Sequence, residues 1–186
     1  MTTPRSQVRE AVRAVLATAG ESGFPTAAGA RVYVNRSIPM DADADFPVIL
    51  IRSGDETIDQ VRQGYDGTAR RVLPVYVEFY AISETAADDV DAGAFQIEAA
   101  LQADRDGVSV IGAFAESCIL QETAFDFAAE GDDEIHAAVM EFEVTYWTIT
   151  DIAGLRPEIV MLGFVPDVGV GNEPEYVHIS PGAGDV

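Results

Sequence analysis

The alternation of residues in the segment 139–149 constrains the fold more than any other feature of this sequence. Its apolar residues occupy every second position: Met140, Phe142, Val144 and Tyr146. The intervening positions are mostly polar: Glu141, Glu143, Thr145 and Trp147. Successive side chains of a β-strand point to opposite sides, so this pattern predicts a strand with one side in a hydrophobic core. Such a strand requires neighbouring strands and a second layer of apolar side chains.

Further strand candidates lie on both sides of this segment in the chain. They are Arg31–Val34, Phe46–Ile51, Val72–Ile82 and Cys118–Phe127. Pro47 is expected near the start of its strand or on a sheet edge, because proline cannot donate to a strand ladder. The polar stretch 53–71, which contains three glycines, is predicted to be a long hairpin arm or a mobile loop.

Two segments have the periodicity of amphipathic helices. The first begins at Thr3-Pro4, a favourable cap followed by a favourable first residue, and we expect it to stop at Gly20. The second covers Thr85–Ala103. The elements do not alternate as β-α-β units, so we predict an α+β fold: a mostly antiparallel sheet with two main helices on one face.

The chain changes character after residue 150. Residues 151–186 contain four prolines and six glycines in 36 positions. We therefore predict an α+β domain over 1–150 and an extended C-terminal arm over 151–186, which needs a surface to lie on, within the subunit or on a neighbour.

The charge excludes several function classes. The chain has 32 acidic residues, 11 arginines and no lysine, for a net charge of −21. Without lysine there is neither a Walker phosphate loop nor a Schiff-base nucleophile. The acidity also argues against sequence-independent binding of nucleic acid. Residues 1–71 hold nine arginines and nine acids, whereas residues 72–186 hold two arginines and 23 acids.

No motif predicts catalysis, a cofactor or a metal site. Asp41, Asp43 and Asp45 match the start of a calcium loop, but Phe46 and Arg52 stand where glycine and glutamate are required. The histidines at 136 and 178 and the single cysteine at 118 form no ligand set, and a buried structural thiol is expected. No apolar run reaches the length of a membrane span, so we expect no membrane partner.

The order of the elements resembles that of the tail terminator, or tail-completion, proteins of long-tailed bacteriophages and gene-transfer particles, the family of the minor tail protein U of phage lambda. The resemblance covers roughly residues 5–150. It is carried by the segments VREAVRAVLA, RVYVNRSIPMDADADFPVILIRSGDE, ARRVLPVYVEFYA, DDVDAGAFQIEAALQAD and CILQETAFDFAAEGDDEIHAAVMEFEVTYWT.

The resemblance implies a structural virion protein and not an enzyme. The resemblance implies a homo-oligomeric ring, a hexamer in the family pattern, that caps the tail tube and ends polymerisation of the tail tube protein. It joins the tail to the head–tail connector or stopper protein, and genome DNA passes through without specific binding. The implied location is the tail or neck of the virion, and the host cytoplasm during assembly.

A ring of this kind assigns roles to charged residues. Lumen candidates, which would repel DNA phosphates, are Glu130, Asp132, Asp133, Glu141 and Glu143. Candidates for contacts with a neighbouring subunit or the tube are Arg9, Arg13, Arg70, Arg71 and Trp147. The near-neutral first 71 residues and the acidic remainder would supply the two different faces of a heterologous contact. The 53–71 segment is then an arm that orders on assembly.

Three alternatives remain open at the level of the sequence. The first is another neck or head-completion protein of the same particle. The second is an acidic interaction protein that mimics DNA and competes for a basic partner. The third is a metal-assisted enzyme built on the Asp41–Asp45 loop.

Overall fold

The computed structural model describes residues 3–36, 46–59, 68–83, 85–102, 109–112, 114–130 and 133–149, together with two short strands at 160–162 and 177–179. The elements, in chain order, are α1 (Pro4–Ala17), β1 (Val32–Val34), β2 (Val48–Ser53), β3 (Thr57–Ile58), β4 (Thr68–Ile82), α2 (Ala86–Leu101), β5 (Ala115–Glu130), β6 (Asp133–Ile149), β7 (Val160–Leu162) and β8 (Val177–Ile179).

Six of the strands form one mixed sheet in the order β1-β2-β4-β6-β5, with β3 paired to β4 beside β2. β1 runs parallel to β2, and every other pair in this sheet is antiparallel. β7 and β8 form a separate antiparallel pair. Both helices pack against the large sheet and against each other. The predicted α+β class, with a mostly antiparallel sheet and two main helices, is confirmed.

The helices form where local sequence and packing agree. The Thr3 hydroxyl accepts a hydrogen bond from the Ser6 amide at 3.3 Å, and Pro4 occupies the first turn of α1. Val8, Val12 and Leu16 form the buried stripe of α1. α2 has Asp88 and Asp89 in its first turn, where carboxylates favour the positive end of the helix dipole.

The core lies between the helices and one face of the sheet. β4 contributes alternate buried residues: Leu73, Val75, Val77, Phe79 and Ala81. β6 contributes the apolar set predicted from its alternation: Met140, Phe142, Val144 and Tyr146. Gly93 of α2 sits so close to the ring of Phe79 that an added Cβ would lie 2.7 Å from it. The helix therefore reaches the sheet through a residue without a side chain.

The predicted boundaries of three strands are wrong. β4 begins at Thr68 and not at Val72, so Arg70 and Arg71 belong to a strand. The first residues of β4 pair with β3 in an antiparallel hairpin, which agrees with the hairpin form predicted for the 53–71 segment. β5 and β6 extend well past the predicted strand Cys118–Phe127 and the predicted start at Val139, because the two strands pair continuously toward their common turn. The backbone pairing over this length stabilises the strand ends although their composition is polar.

Several features of the sequence fall outside the described residues. These are the Asp41–Asp45 loop, residues 60–67 and Asp132. The same holds for residues 151–186 except β7 and β8.

Candidate functional site: the outer face of the sheet

The outer face of the sheet is the side opposite α1 and α2, and it holds the alternate residues that do not enter the core. β6 presents Glu141, Glu143, Thr145 and Trp147 to it, as the alternation predicted. Trp147 is 44% exposed, whereas Thr145 is 1% exposed. The prediction that Trp147 lies on a polar strand face is confirmed, and this face is the side of the sheet opposite the helices.

Arg70, Glu116 and Trp147 form a cluster across three adjacent strands. Arg70 and Trp147 are direct partners in the register of β4 and β6. The Arg70 guanidinium donates to both carboxylate oxygens of Glu116, with Nε–Oε2 at 2.8 Å and Nη2–Oε1 at 3.2 Å. The Trp147 indole Nε1 donates to the same Oε2 at 3.2 Å. Asp59 adds a second carboxylate at 3.4 Å from Arg70 Nη1. This geometry holds the indole in one orientation at the surface.

A second cluster, which was not predicted from the sequence, occupies the other half of the outer face. Glu78 of β4 is 2% exposed, accepts a hydrogen bond from Arg52 of β2, and accepts another from the Tyr80 hydroxyl at 2.8 Å. A buried carboxylate requires such partners. Burial, together with the hydrogen bond to Glu78, raises the pKa of Tyr80 to about 12. The alternation of residues along β4 is the sequence signal that could have placed Glu78 on the outer face.

The predicted lumen acids fall into two groups. Glu141 and Glu143 are half-buried on the outer face, and Glu122 of β5 lies directly opposite Glu141. Glu130 and Asp133 pair at the far end of the β5–β6 hairpin, and Asp132 lies outside the described residues. The eight-residue separation of Asp133 and Glu141 corresponds to about 26 Å along the strand. The backbone positions of the four described acids thus lie in two separate parts of the β5–β6 hairpin.

Arg71 is on the opposite side of the sheet from Arg70. Its guanidinium donates to Glu56 and, through Nε at 2.7 Å, to the hydroxyl of Thr148. The Tyr146 hydroxyl donates to the other oxygen of Glu56. Burial and the bond to Glu56 raise the pKa of Tyr146. Arg71, Glu56 and Thr148 line a groove of about 350 Å³ beside the start of α1, together with Arg5.

Arg9 and Arg13 are on α1, on the side of the sheet opposite the face that holds Trp147. Arg9 Nη1 donates to the Ser53 hydroxyl at 2.8 Å, and Arg13 Nε donates to the Val32 carbonyl at 3.3 Å. Arg13 also pairs with Glu10 at 3.5 Å. Of these two arginines, only Arg13 pairs with a carboxylate within the described chain. The structure therefore places the predicted contact residues at three separate locations.

The remaining candidates carry no recognisable chemistry. Among the described residues, no three His, Cys, Asp or Glu side chains converge into a set able to hold a metal ion. Burial raises the pKa of Cys118 to about 12, which keeps it a thiol, as expected for a structural cysteine. The His136 ring is half-buried and lies 5.6 Å from that of Phe127. A groove of about 380 Å³ between the carboxyl ends of the helices has no ionisable side chain among its described lining residues.

Neither described helix combines the length and the apolar character of a membrane span. No protein-family model matches this chain, and a search of curated proteins finds no match to it.

Proposed function

We propose that this protein is a ring-forming tail-completion subunit of a long-tailed phage or gene-transfer particle. In this role it caps the tail tube, ends polymerisation of the tube protein and contacts the head-side connector or stopper protein, while DNA passes through the ring. It acts within the tail or neck of the virion after assembly in the host cytoplasm. The element order of residues 5–150 supports this proposal, as does the distribution of charge on the sheet.

The observation that carries the proposal is a set of three carboxylates on the outer face without a cation: Glu122, Glu141 and Glu143. In the described part of the chain, none of them has an arginine within salt-bridge distance, although Arg70 and Arg52 lie on the same face. Like charges directly opposite each other on paired strands destabilise a sheet. Glu122 opposite Glu141 therefore costs the sheet stability, and together with Glu143 the pair makes this part of the outer face negative. A wall that repels phosphate lets DNA slide without binding.

The proposal is tested first by tail length. Particles assembled without this protein are expected to carry tails of uncontrolled length, and the purified protein added to growing tubes is expected to stop elongation. Tails of normal length in its absence would refute the proposal. If instead the protein left tail length unaffected and displaced DNA from a basic DNA-binding protein, the DNA-mimic alternative would replace it.

A second experiment tests the role of the outer-face acids. The substitutions Glu141→Lys and Glu143→Lys are expected to preserve tube capping but to slow release of DNA from the particle, because cations on the wall attract phosphate. The matched control carries Glu21→Lys and Asp91→Lys, which change two exposed acids away from the outer face. Equal DNA release from both variants would show that the outer face does not line the proposed lumen.

A further inference from the structure

We infer that the groove beside the start of α1 is a binding site for a carboxylate that carries a short apolar body, at the end of a peptide or in a small acid. Arg5 and Arg71 bind the carboxylate, and Pro4 and Ile149 contact the apolar body. This inference does not depend on the proposed function, because it rests on the contents of the groove alone.

Two arginines from distant parts of the chain meet at this groove. Arg5 is in the first turn of α1 and Arg71 is in β4, and both line the groove. Burial and the bond to Glu56 raise the pKa of Tyr146, whereas the charges of Arg71 and Arg5 both act to lower it. Both guanidinium groups are therefore close enough to act on one hydroxyl. Glu56 is the one acid among the described lining residues, so two arginines and one glutamate leave a net charge of +1.

The hydrogen-bond donors in the groove outnumber the acceptors that the described residues offer. Arg71 donates to Glu56 through Nη1 and to the Thr148 hydroxyl through Nε. Arg5 donates to the Gly54 carbonyl through Nη2 at 2.9 Å. Both carboxylate oxygens of Glu56 already accept a hydrogen bond, the second from a tyrosine hydroxyl. A guanidinium has five N–H groups, so Nη2 of Arg71 and Nε and Nη1 of Arg5 remain for the oxygens of an added anion.

The charge and the size of the groove favour one class of anion. A net charge of +1 balances a monoanion, whereas a dianion would bring a second negative charge close to Glu56. The groove volume of about 350 Å³ falls in the range of small-molecule sites, roughly 300–1,000 Å³, so the groove holds more than an isolated ion. Pro4 and Ile149 add apolar residues to the lining, and Ile149 is 71% exposed. A carboxylate attached to a few apolar carbons matches all three properties, and guanidinium groups bind it through charge-assisted hydrogen bonds.

Titration of the full chain with N-acetyl-L-valine, followed by NMR of the arginine Nε–H groups, tests this site. The signals of Arg5 and Arg71 are expected to shift saturably, with a dissociation constant on the order of 1 mM. N-acetyl-L-valinamide has the same shape without the charge, and it is expected not to bind. Sulfate is a dianion without an apolar body, and it is expected to bind roughly tenfold more weakly than N-acetyl-L-valine.

Substitutions in the full chain assign the binding to the groove. Arg5→Gln is expected to weaken binding of N-acetyl-L-valine roughly tenfold or more, because it removes one of the two guanidinium groups. Arg5 is exposed, so the fold does not depend on it. The matched control is Arg9→Gln, which removes the same charge from the same helix at a residue outside the lining, and it is expected to bind normally. Glu56→Gln is expected to strengthen the binding of sulfate, because it removes the negative charge that opposes a dianion.

Three results would overturn the assignment. They are the absence of any saturable shift, equal binding of N-acetyl-L-valine and its amide, and equal weakening by Arg5→Gln and Arg9→Gln. An acetylated tetrapeptide that ends in valine then distinguishes the two sources of the carboxylate. Tighter binding of the tetrapeptide than of N-acetyl-L-valine indicates the end of a peptide, and equal binding indicates a small acid.

Discussion

Arg70 and Arg71 are consecutive residues of β4, yet their side chains enter networks on opposite faces of the sheet. Arg70 meets Glu116 and Trp147 on the outer face, whereas Arg71 meets Glu56 and Thr148 on the helix side. Successive side chains of a β-strand point to opposite faces of the sheet, which explains why the two arginines are on different faces. The two arginines therefore have separate, independently testable consequences.

The indole of Trp147 is expected to report on the outer-face cluster. Trp147 is the only tryptophan in the chain, and Glu116 accepts its Nε1 hydrogen bond. Glu116→Ala removes that acceptor and the partner of Arg70, so the indole gains freedom and contact with water. We expect stronger quenching of its fluorescence by acrylamide. Glu122→Ala, on the same strand, is the control, and equal quenching in the two variants would contradict the observed geometry.

The Arg71–Glu56 pair is expected to show strong coupling in a double-mutant cycle. Their side chains are 24% and 13% exposed, so each depends on the other for compensation of its charge. Arg71→Met is expected to lower the free energy of unfolding by about 2–3 kcal/mol, because it leaves Glu56 without a cation in a largely buried position. Adding Glu56→Gln is expected to recover part of that loss in urea unfolding. Additive effects of the two substitutions would show that the pair is not coupled.

Close packing at Gly93 is expected to make the position intolerant of any side chain. Gly93→Ala brings a Cβ to 2.7 Å from the buried ring of Phe79. We expect a destabilisation of about 1–3 kcal/mol from overpacking, despite the better helix propensity of alanine. In a Phe79→Leu background, where the ring is absent, the same substitution is expected to be nearly neutral. An equal penalty in both backgrounds would exclude the ring as its cause.

Alkaline pH is expected to destabilise the fold through its tyrosines. The pKa of Tyr80 is raised to about 12, against about 10 for an unfolded tyrosine. The contribution of Tyr80 to stability is therefore complete below pH 10, and it is lost as the pH rises from about 10 to 12 because the unfolded chain ionises first. The pKa of Tyr146 is raised as well, so it acts in the same direction. Because the chain contains no lysine, no amine side chain titrates in this pH range.

Thermal unfolding between pH 9 and pH 12 measures this effect, in a Cys118→Ala background so that the thiol does not titrate. Tyr80→Phe is expected to make the decline in stability with pH less steep, because its ionisation is removed. Comparison at pH 8 isolates the loss of the hydroxyl itself. A decline as steep as that of the parent chain would show that Tyr80 does not contribute.

The thiol of Cys118 is expected to react only when the protein opens. Burial raises its pKa to about 12, so almost no thiolate is present at neutral pH in the folded state. At pH 8 we expect labelling by a disulfide reagent to be slow without denaturant and to accelerate with the unfolding transition in urea. Rapid labelling of the native protein, at the rate of a small free thiol, would contradict the raised pKa of this half-buried thiol.

The sequence by itself determined the layers of this protein. The alternation of apolar and other residues in 140–147 predicted the two faces of β6, and the capped apolar stripe in 4–17 predicted α1. Each pattern has a period that only one backbone conformation satisfies. The class of the fold follows from the order of these elements. The charge asymmetry was equally visible along the chain.

Only the tertiary structure decided which residues become neighbours. Glu78, Glu116 and Glu56 were indistinguishable from the other acids in the sequence, and the pairing register of distant strands gave each its arginine. The same register extended β4 through Arg70 and Arg71 and placed them on different faces. The strand order depends on contacts between residues that are distant in the chain, and no local sequence pattern predicts such contacts. It is this order that places β4 and β5 on either side of β6, so that Arg70 meets Glu116 beside Trp147.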